Sequence, residues 1–344
     1  MYSNFKSSAE HIRLVFLTGV SRFRKLSVFS GLNNLSDITF DNNFADVCGI
    51  TEKELFEHFK MGIEELAEKY NISYEAACAR LKKNYDGYRF AEEGSEIYNP
   101  WSLFNCFSKI KFSYYWNETG FPSIVAKALK MSHANLEEYF DTYCSESDLW
   151  GLVLTDPNPT ALMYQTGYLT IKEFDMDMDM YHLGIPNEEV RVGLVNVLIP
   201  YYAKYKSAGD ALKVKDMVKW LKLGRPDRFL ESIQTYFAGV SYKLKMDNEN
   251  NFHNAFFLVT DLIGLESDAE VDTSDGRIDM LIKTPRYIYV IELKYDKSAD
   301  EALAQIDRKK YDRMFRDDHR KILRIGVRFS SSTRTIEDWR IEES

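Results

Sequence analysis

Apolar side chains recur every three or four residues from Glu52 to about Lys83, at Leu55, Phe59, Ile63, Leu66 and Tyr70, with charges between them. That period predicts helix with one packed face. Upstream, Ile12–Val20 (IRLVFLTGV) is a short β-branched run that reads as a buried strand of an α/β sheet, with no partner strand near it in sequence. Past the turn-rich YDGYRF and EEGSEIYNP, positions through Trp101, Phe104, Phe107 and Tyr139 predict further helices. YLTIKEF and YHLGI then flank the acidic DMDMD as a hairpin, and helices with such a hairpin suit a small winged-helix-like module. Asn187 to about Leu244 reads as all helix, with Glu188 and Glu189 in a first turn where negative charge suits the helix dipole.

The pattern changes at the polar MDNENN of Met246–Asn251. Beyond it come helix (Asn251–Ile263), three strands (Ser267–Val271, Arg277–Lys283, Tyr287–Tyr295), helix (Ser298–Phe315) and strand (Ile322–Phe329). The fold class is therefore α/β in the broad α+β sense, a mostly helical amino-terminal region followed by an αβββαβ module. Segments 1–50, 51–245 and 246–344 are the expected divisions.

Pro285 sits midway between the two central strands, so a tight turn there pairs Lys283 with Ile288 and Asp279 with Glu292. Cβ atoms of directly opposed residues lie about 4.5–5.5 Å apart, so two carboxylates placed this way either share a divalent cation or repel. Alternation puts Glu292 and Lys294 on one side of their strand and Ile291 and Leu293 on the other. Charges in so apolar a run are tolerated when paired or metal-bound, and a structural ion pair between Lys294 and an acid is the plainer alternative. A bare D-x(12)-E-x-K arises by chance in a chain of this length, and its context must carry the weight.

Composition narrows the classes. The chain has 344 residues, 45% hydrophobic and 28% charged, which excludes disordered and fibrous polymers and leaves room for about two domains. A net charge of −9 argues against coating nucleic acid or anionic membrane by bulk charge. Locally the balance reverses: Arg308–Arg328 holds nine basic residues against three acidic ones, either a phosphate-facing surface or a solvated charged face. Cys48, Cys78, Cys106 and Cys144 lie far apart without neighbouring His at ligand spacing, so reduced, buried thiols are expected rather than zinc ligands. Asp175, Asp177 and Asp179 imitate a calcium loop, but Met180 and Pro186 stand where Gly and Glu are required. With no long apolar run and no secretory pattern at the start, a cytoplasmic protein off the membrane is expected.

GRIDMLIKTPRYIYVIELKY, with NENNFHNAFF upstream and ALAQIDRKKY downstream, resembles the nuclease domain of the PD-(D/E)XK superfamily, a restriction-endonuclease-like fold. The resemblance implies catalytic Asp279, Glu292, Lys294 and Gln305, and metal ligands Glu249, Asp279 and Glu292. It places Lys309, a further nucleic-acid-binding candidate, one turn beyond Gln305, and His253 where relatives often carry Gln, as a phosphate contact or a helix-packing residue. Arg277 shares a strand face with Asp279 and serves either as a phosphate contact or as a structural counter-ion to the carboxylates, and Glu270 on the preceding strand is a weaker supporting acid. The implied reaction is hydrolysis of DNA phosphodiesters with Mg²⁺ or Mn²⁺, with Lys294 positioning or polarising the attacking water.

The opening FKSSAEHIRLVFLTGVSRFRKLSVFSGLNNLSDITFDNNFADVCGITEKEL resembles the end of the AAA-ATPase-like domain that precedes this nuclease in a bacterial family, as do YDGYRF, IYNPWSLF, YQTGYLTIK and GIPNEEV. A G-x-x-x-x-G-K-[ST] phosphate loop is absent from the sequence, so ATP is not an expected ligand and segment 1–50 reads as the remnant of that domain. The orphan Ile12–Val20 strand suggests a homodimer. A non-catalytic nucleic-acid-binding or assembly protein that uses the nuclease fold structurally is the second expectation.

Overall fold

The structure is a computed structural model that describes residues 11, 13, 14, 16, 18, 36–116, 122–132, 136–149, 152, 153, 156–202, 210–238, 249–262, 266–273, 276–315 and 318–343. Contacts group the chain into two units, Met1–Ser132 with Glu138–Leu194, and His133–Glu137 with Val195–Ser344. Most of the Ile12–Val20 strand lies outside the described residues, as does the polar stretch before Glu249 where the sequence suggests a boundary.

In the first unit the long helical period is cut into α1 (Glu52–His58), α2 (Lys60–Tyr70) and α3 (Tyr74–Tyr85). Local chemistry sets the cuts. Thr51 and Glu54 form a reciprocal capping box that starts α1, and Asn71 ends α2 in the left-handed region at φ 51°, which a short amide side chain tolerates. The Ser73 hydroxyl then accepts from Ala76 N to start α3. Helix α4 (Pro100–Lys109) has Pro in its first turn and Asn99 as its cap. These helices bury Leu55, Ile63, Leu66, Leu81, Tyr85, Leu103 and Cys106 in one core.

Helices α5 (Pro122–Ser132) and α6 (Pro159–Gln165) follow. The predicted hairpin forms as β2 (Thr170–Asp175) and β3 (Met180–Gly184), and β1 (Asp141–Cys144), which the pattern did not announce, adds to the other side of β3. The acidic run between them makes the turn, because Asp175 Oδ1 accepts from the amides of Asp177 and Met178. Cys106 and Cys144 are buried as expected, whereas Cys48 is exposed.

Helix α7 (Glu188–Tyr202) contains the division between units, α8 (Asp210–Lys222) and α9 (Pro226–Ala238) continue the predicted helical stretch, and α10 (Glu249–Leu262) is the helix expected at Asn251–Ile263, begun two residues earlier. A five-stranded sheet follows, built from β4 (Glu266–Thr273), β5 (Gly276–Lys283), β6 (Tyr287–Tyr295), β7 (Lys321–Ser330) and β8 (Thr335–Glu343) in the order β8-β7-β6-β5-β4. Only the β6–β7 pair is parallel, and its crossover is α11 (Ala299–Lys309). The predicted helix to Phe315 stops at Lys310, which turns left-handed at φ 52° and hands the chain to a 3₁₀ turn, Tyr311–Phe315. Strand β8 is the element of this sheet that the sequence pattern did not announce.

Helices cover both faces of this sheet. On one face α11 brings Leu303 and Ile306 onto Leu281, Ile288 and Val290, with Tyr311 and Phe315 closing the cluster. On the other the Tyr289 hydroxyl donates to Leu221 O of α8 at 2.5 Å, and Phe252 of α10 stacks on Phe329 with centroids 3.8 Å apart. Mixed helices and sheets of the α+β class are thus the observed architecture. No helix among the described residues is long and apolar enough to cross a membrane.

Candidate active site

The turn at Pro285 pairs β5 with β6 in the expected register: Lys283 with Ile288, Ile282 with Tyr289, Leu281 with Val290 and Met280 with Ile291. Pairing then stops one step short of Asp279 and Glu292. In place of the next backbone bond, Asp279 Oδ2 accepts from Leu293 N at 2.7 Å. The expectation of a regular pair at this step is corrected accordingly, because a carboxylate has taken the role of a ladder carbonyl and wedged the two strands apart. The ladder of β4 with β5 is interrupted at the same residue. Ala269 pairs with Met280 and Val271 with Ile278, which brackets Glu270 against Asp279 without pairing them.

Asp279 and Glu292 nonetheless meet, close enough for each carboxyl to act on the other. Glu292 is fully buried, and burial first, then the Asp279 charge, push its carboxyl up to about 7, with Lys294 opposing both. Lys294 Nζ donates to Glu292 Oε1 at 2.6 Å, so the ion pair weighed from sequence is present. The second oxygen, Glu292 Oε2, is buried with no hydrogen-bond donor. An acceptor in that position is costly unless a proton or a cation meets it.

Helix α11 reaches this spot because Gly326 of β7, the partner of Glu292 across the parallel ladder, has no side chain. A Cβ there would stand 2.3 Å from Ala299 O and 2.9 Å from Leu303 N. The close approach seats the amino-terminal half of α11 against β7 beside Glu292. Gln305 is half-buried and bonds the hydroxyl of Tyr311, itself 2% exposed. Burial raises the Tyr311 hydroxyl above its ordinary value, the charges of Glu292 and Asp279 add to this, and Gln305 and Lys294 oppose it. Tyr311 therefore belongs to the same electrostatic group. The sequence reading passed over it, and its only signal was an aromatic residue closing the helix that carries Gln305.

Glu249 opens α10 one turn before Phe252. Phe252 stacks on Phe329, the partner of Tyr295, which brings that helix to the end of the sheet where Asp279 and Glu292 meet. The side chains of Glu249, Glu270 and Arg277 lie outside the described residues, and Lys309 is half-buried at the end of α11. Among the described residues no three His, Cys, Asp or Glu side chains converge as a metal site. Two carboxylates do converge, and the unsatisfied Glu292 Oε2 is the donor atom that fits a hard divalent cation.

An uncharacterized protein in the vnfD 5′ region of Azotobacter chroococcum mcd 1 is 30% identical over 352 residues, covering 99% of this chain and 66% of that protein. The chain thus spans just under two thirds of that relative's length. No solved structure matches. Residues 247–339, the segment that carries every one of these side chains, match the family model of the PD-(D/E)XK nuclease superfamily.

Proposed function

We propose that the chain is a metal-dependent nuclease that hydrolyses DNA phosphodiester bonds at Asp279, Glu292 and Lys294. The observation that carries this reading is the buried Glu292 oxygen without a donor, beside a second carboxylate and a lysine at the end of an otherwise apolar strand. An ion pair added for stability alone would have both carboxylate oxygens satisfied.

In this reading Asp279 and Glu292 hold Mg²⁺ or Mn²⁺, with Glu249 as a third ligand. The metal, when bound, supplies Lewis-acid stabilisation of charge on phosphate oxygens. Lys294 lies on the water side of Glu292, where its ammonium orients a water for attack and offsets developing negative charge. Gln305 bonds the hydroxyl of Tyr311 and so positions it within electrostatic reach of the two carboxylates. Arg277 and Lys309 contact flanking phosphates.

The test is cleavage of plasmid and oligonucleotide DNA by the purified chain in Mg²⁺, in Mn²⁺ and in EDTA, with RNA run alongside. Cleavage with metal and none in EDTA supports the reading. The Lys294–Glu292 ion pair favours a second reading, a non-catalytic DNA-binding or assembly protein, and binding without cleavage under all metals would establish it.

A further inference from the structure

The basic run Arg308–Arg328 is divided by the fold. Arg320 is held by Asp318, Lys321 by Glu343, Arg324 by Asp307 and Glu342, and Arg328 by Glu337. Three of these acids belong to β8, the strand absent from the sequence reading, and they neutralise the β7 half of the run. The other half is different. Arg308, Lys309, Lys310 and Arg313 form no ion pair among the described residues, and Arg308, Lys310 and Arg313 are exposed. Asp307 and Asp318, the neighbouring acids whose side chains are described, are already engaged by Arg324 and Arg320.

These four cations sit at the end of α11 and in the turn that follows it, within a few residues of Gln305 and Tyr311. The helix dipole favours cations in the last turn, which accounts for Arg308 and Lys309. It does not account for Arg313, past the helix and its left-handed cap at Lys310. We infer that the end of α11 and the Tyr311–Phe315 turn form a phosphate track. Along it, Arg308, Lys310 and Arg313 draw the backbone of a DNA strand toward the carboxylates, while the β7 cations take no part. The inference rests on the nuclease reading for its direction toward the site, but binding alone tests the track.

The experiment measures binding of the full chain to a short fluorescein-labelled DNA duplex by anisotropy over a salt series in EDTA, with single-stranded RNA of the same sequence as comparison. The variant Arg308→Gln/Lys310→Gln/Arg313→Gln is compared with Lys321→Gln/Arg328→Gln, and melting curves confirm that both fold. Each phosphate contact contributes close to one unit to the slope of log affinity on log salt, so the first variant is expected to lower that slope by about two to three and to weaken binding by about tenfold or more. The second is expected to leave the slope unchanged. Equal loss in both variants, an unchanged slope in the first, no binding by the parent, or preference for RNA overturns the inference. A parent that binds with this pattern yet cleaves nothing with any metal leaves the track standing and defeats the nuclease reading. A parent that cleaves while the first variant keeps its slope does the reverse.

Discussion

Lys294 and Glu292, two positions apart on one face of β6, form an ion pair of 2.6 Å that satisfies a single oxygen of a fully buried carboxylate. The lysine is therefore a partial counter-ion. It leaves Glu292 with a carboxyl pushed up to about 7 and with Oε2 open.

The raised Glu292 carboxyl fixes a sign. A carboxyl whose folded value lies above its unfolded value costs nothing in acid, where it is protonated in both states. It lowers stability progressively as pH rises from about 4.5, the ordinary Glu value, toward 7. Glu292→Gln is expected to melt a few degrees above the parent at pH 8 and level with it near pH 4. Thermal melts across that range check this, and a variant less stable than the parent at pH 8 contradicts it.

Lys294→Ala and Asp279→Asn are each expected to reduce DNA cleavage by roughly a thousandfold. Asp279→Asn keeps an acceptor for Leu293 N and is expected to shift the melting temperature by no more than a few degrees, whereas Lys294→Ala strips the buried Glu292 of its counter-ion and is expected to cost about 3 kcal/mol or more at pH 8. Single-turnover cleavage beside a melting curve separates loss of chemistry from loss of fold.

Gly326→Ala places a methyl group 2.3 Å from Ala299 O, so α11 must lift from β7. A cost of about 1–3 kcal/mol is expected, together with lower cleavage, because Gln305 and Tyr311 move away from the carboxylates. Chemical denaturation measures the first effect. Full stability in this variant would show that α11 is not seated on Gly326.

In the other unit, Glu189 is a buried acid with every bond satisfied: Ser102 Oγ donates to it at 2.6 Å and Trp116 N at 2.9 Å, with a short bond from Tyr115 N. Glu189→Ala strands three donors and is expected to cost about 3 kcal/mol, with DNA cleavage per folded molecule unchanged. Urea denaturation and an activity assay on the folded fraction check both parts.

The register of β5 on β6, and with it the approach of Asp279 to Glu292, was legible because a proline-centred turn and strict alternation set it, and those are local properties. The wedge at Asp279 was not legible, since a side chain replacing a ladder carbonyl leaves no mark on the residue pattern. Strand β8 escaped because Glu337, Asp338, Arg340, Glu342 and Glu343 conceal the few apolar positions, Ile336, Trp339 and Ile341. With it escaped the neutralisation of Arg324 and Arg328, a pairing across strands that a charge count along the chain cannot register. Tyr311 joined the site only through the stop of α11 at Lys310, set by a left-handed residue that is not glycine.

Whether Asp279 and Glu292 together hold a divalent cation is decided by calorimetric titration of Mn²⁺ into the parent chain and into Asp279→Asn. Saturable binding by the parent and its loss in the variant are expected. Equal binding by both, or no binding by the parent, contradicts it.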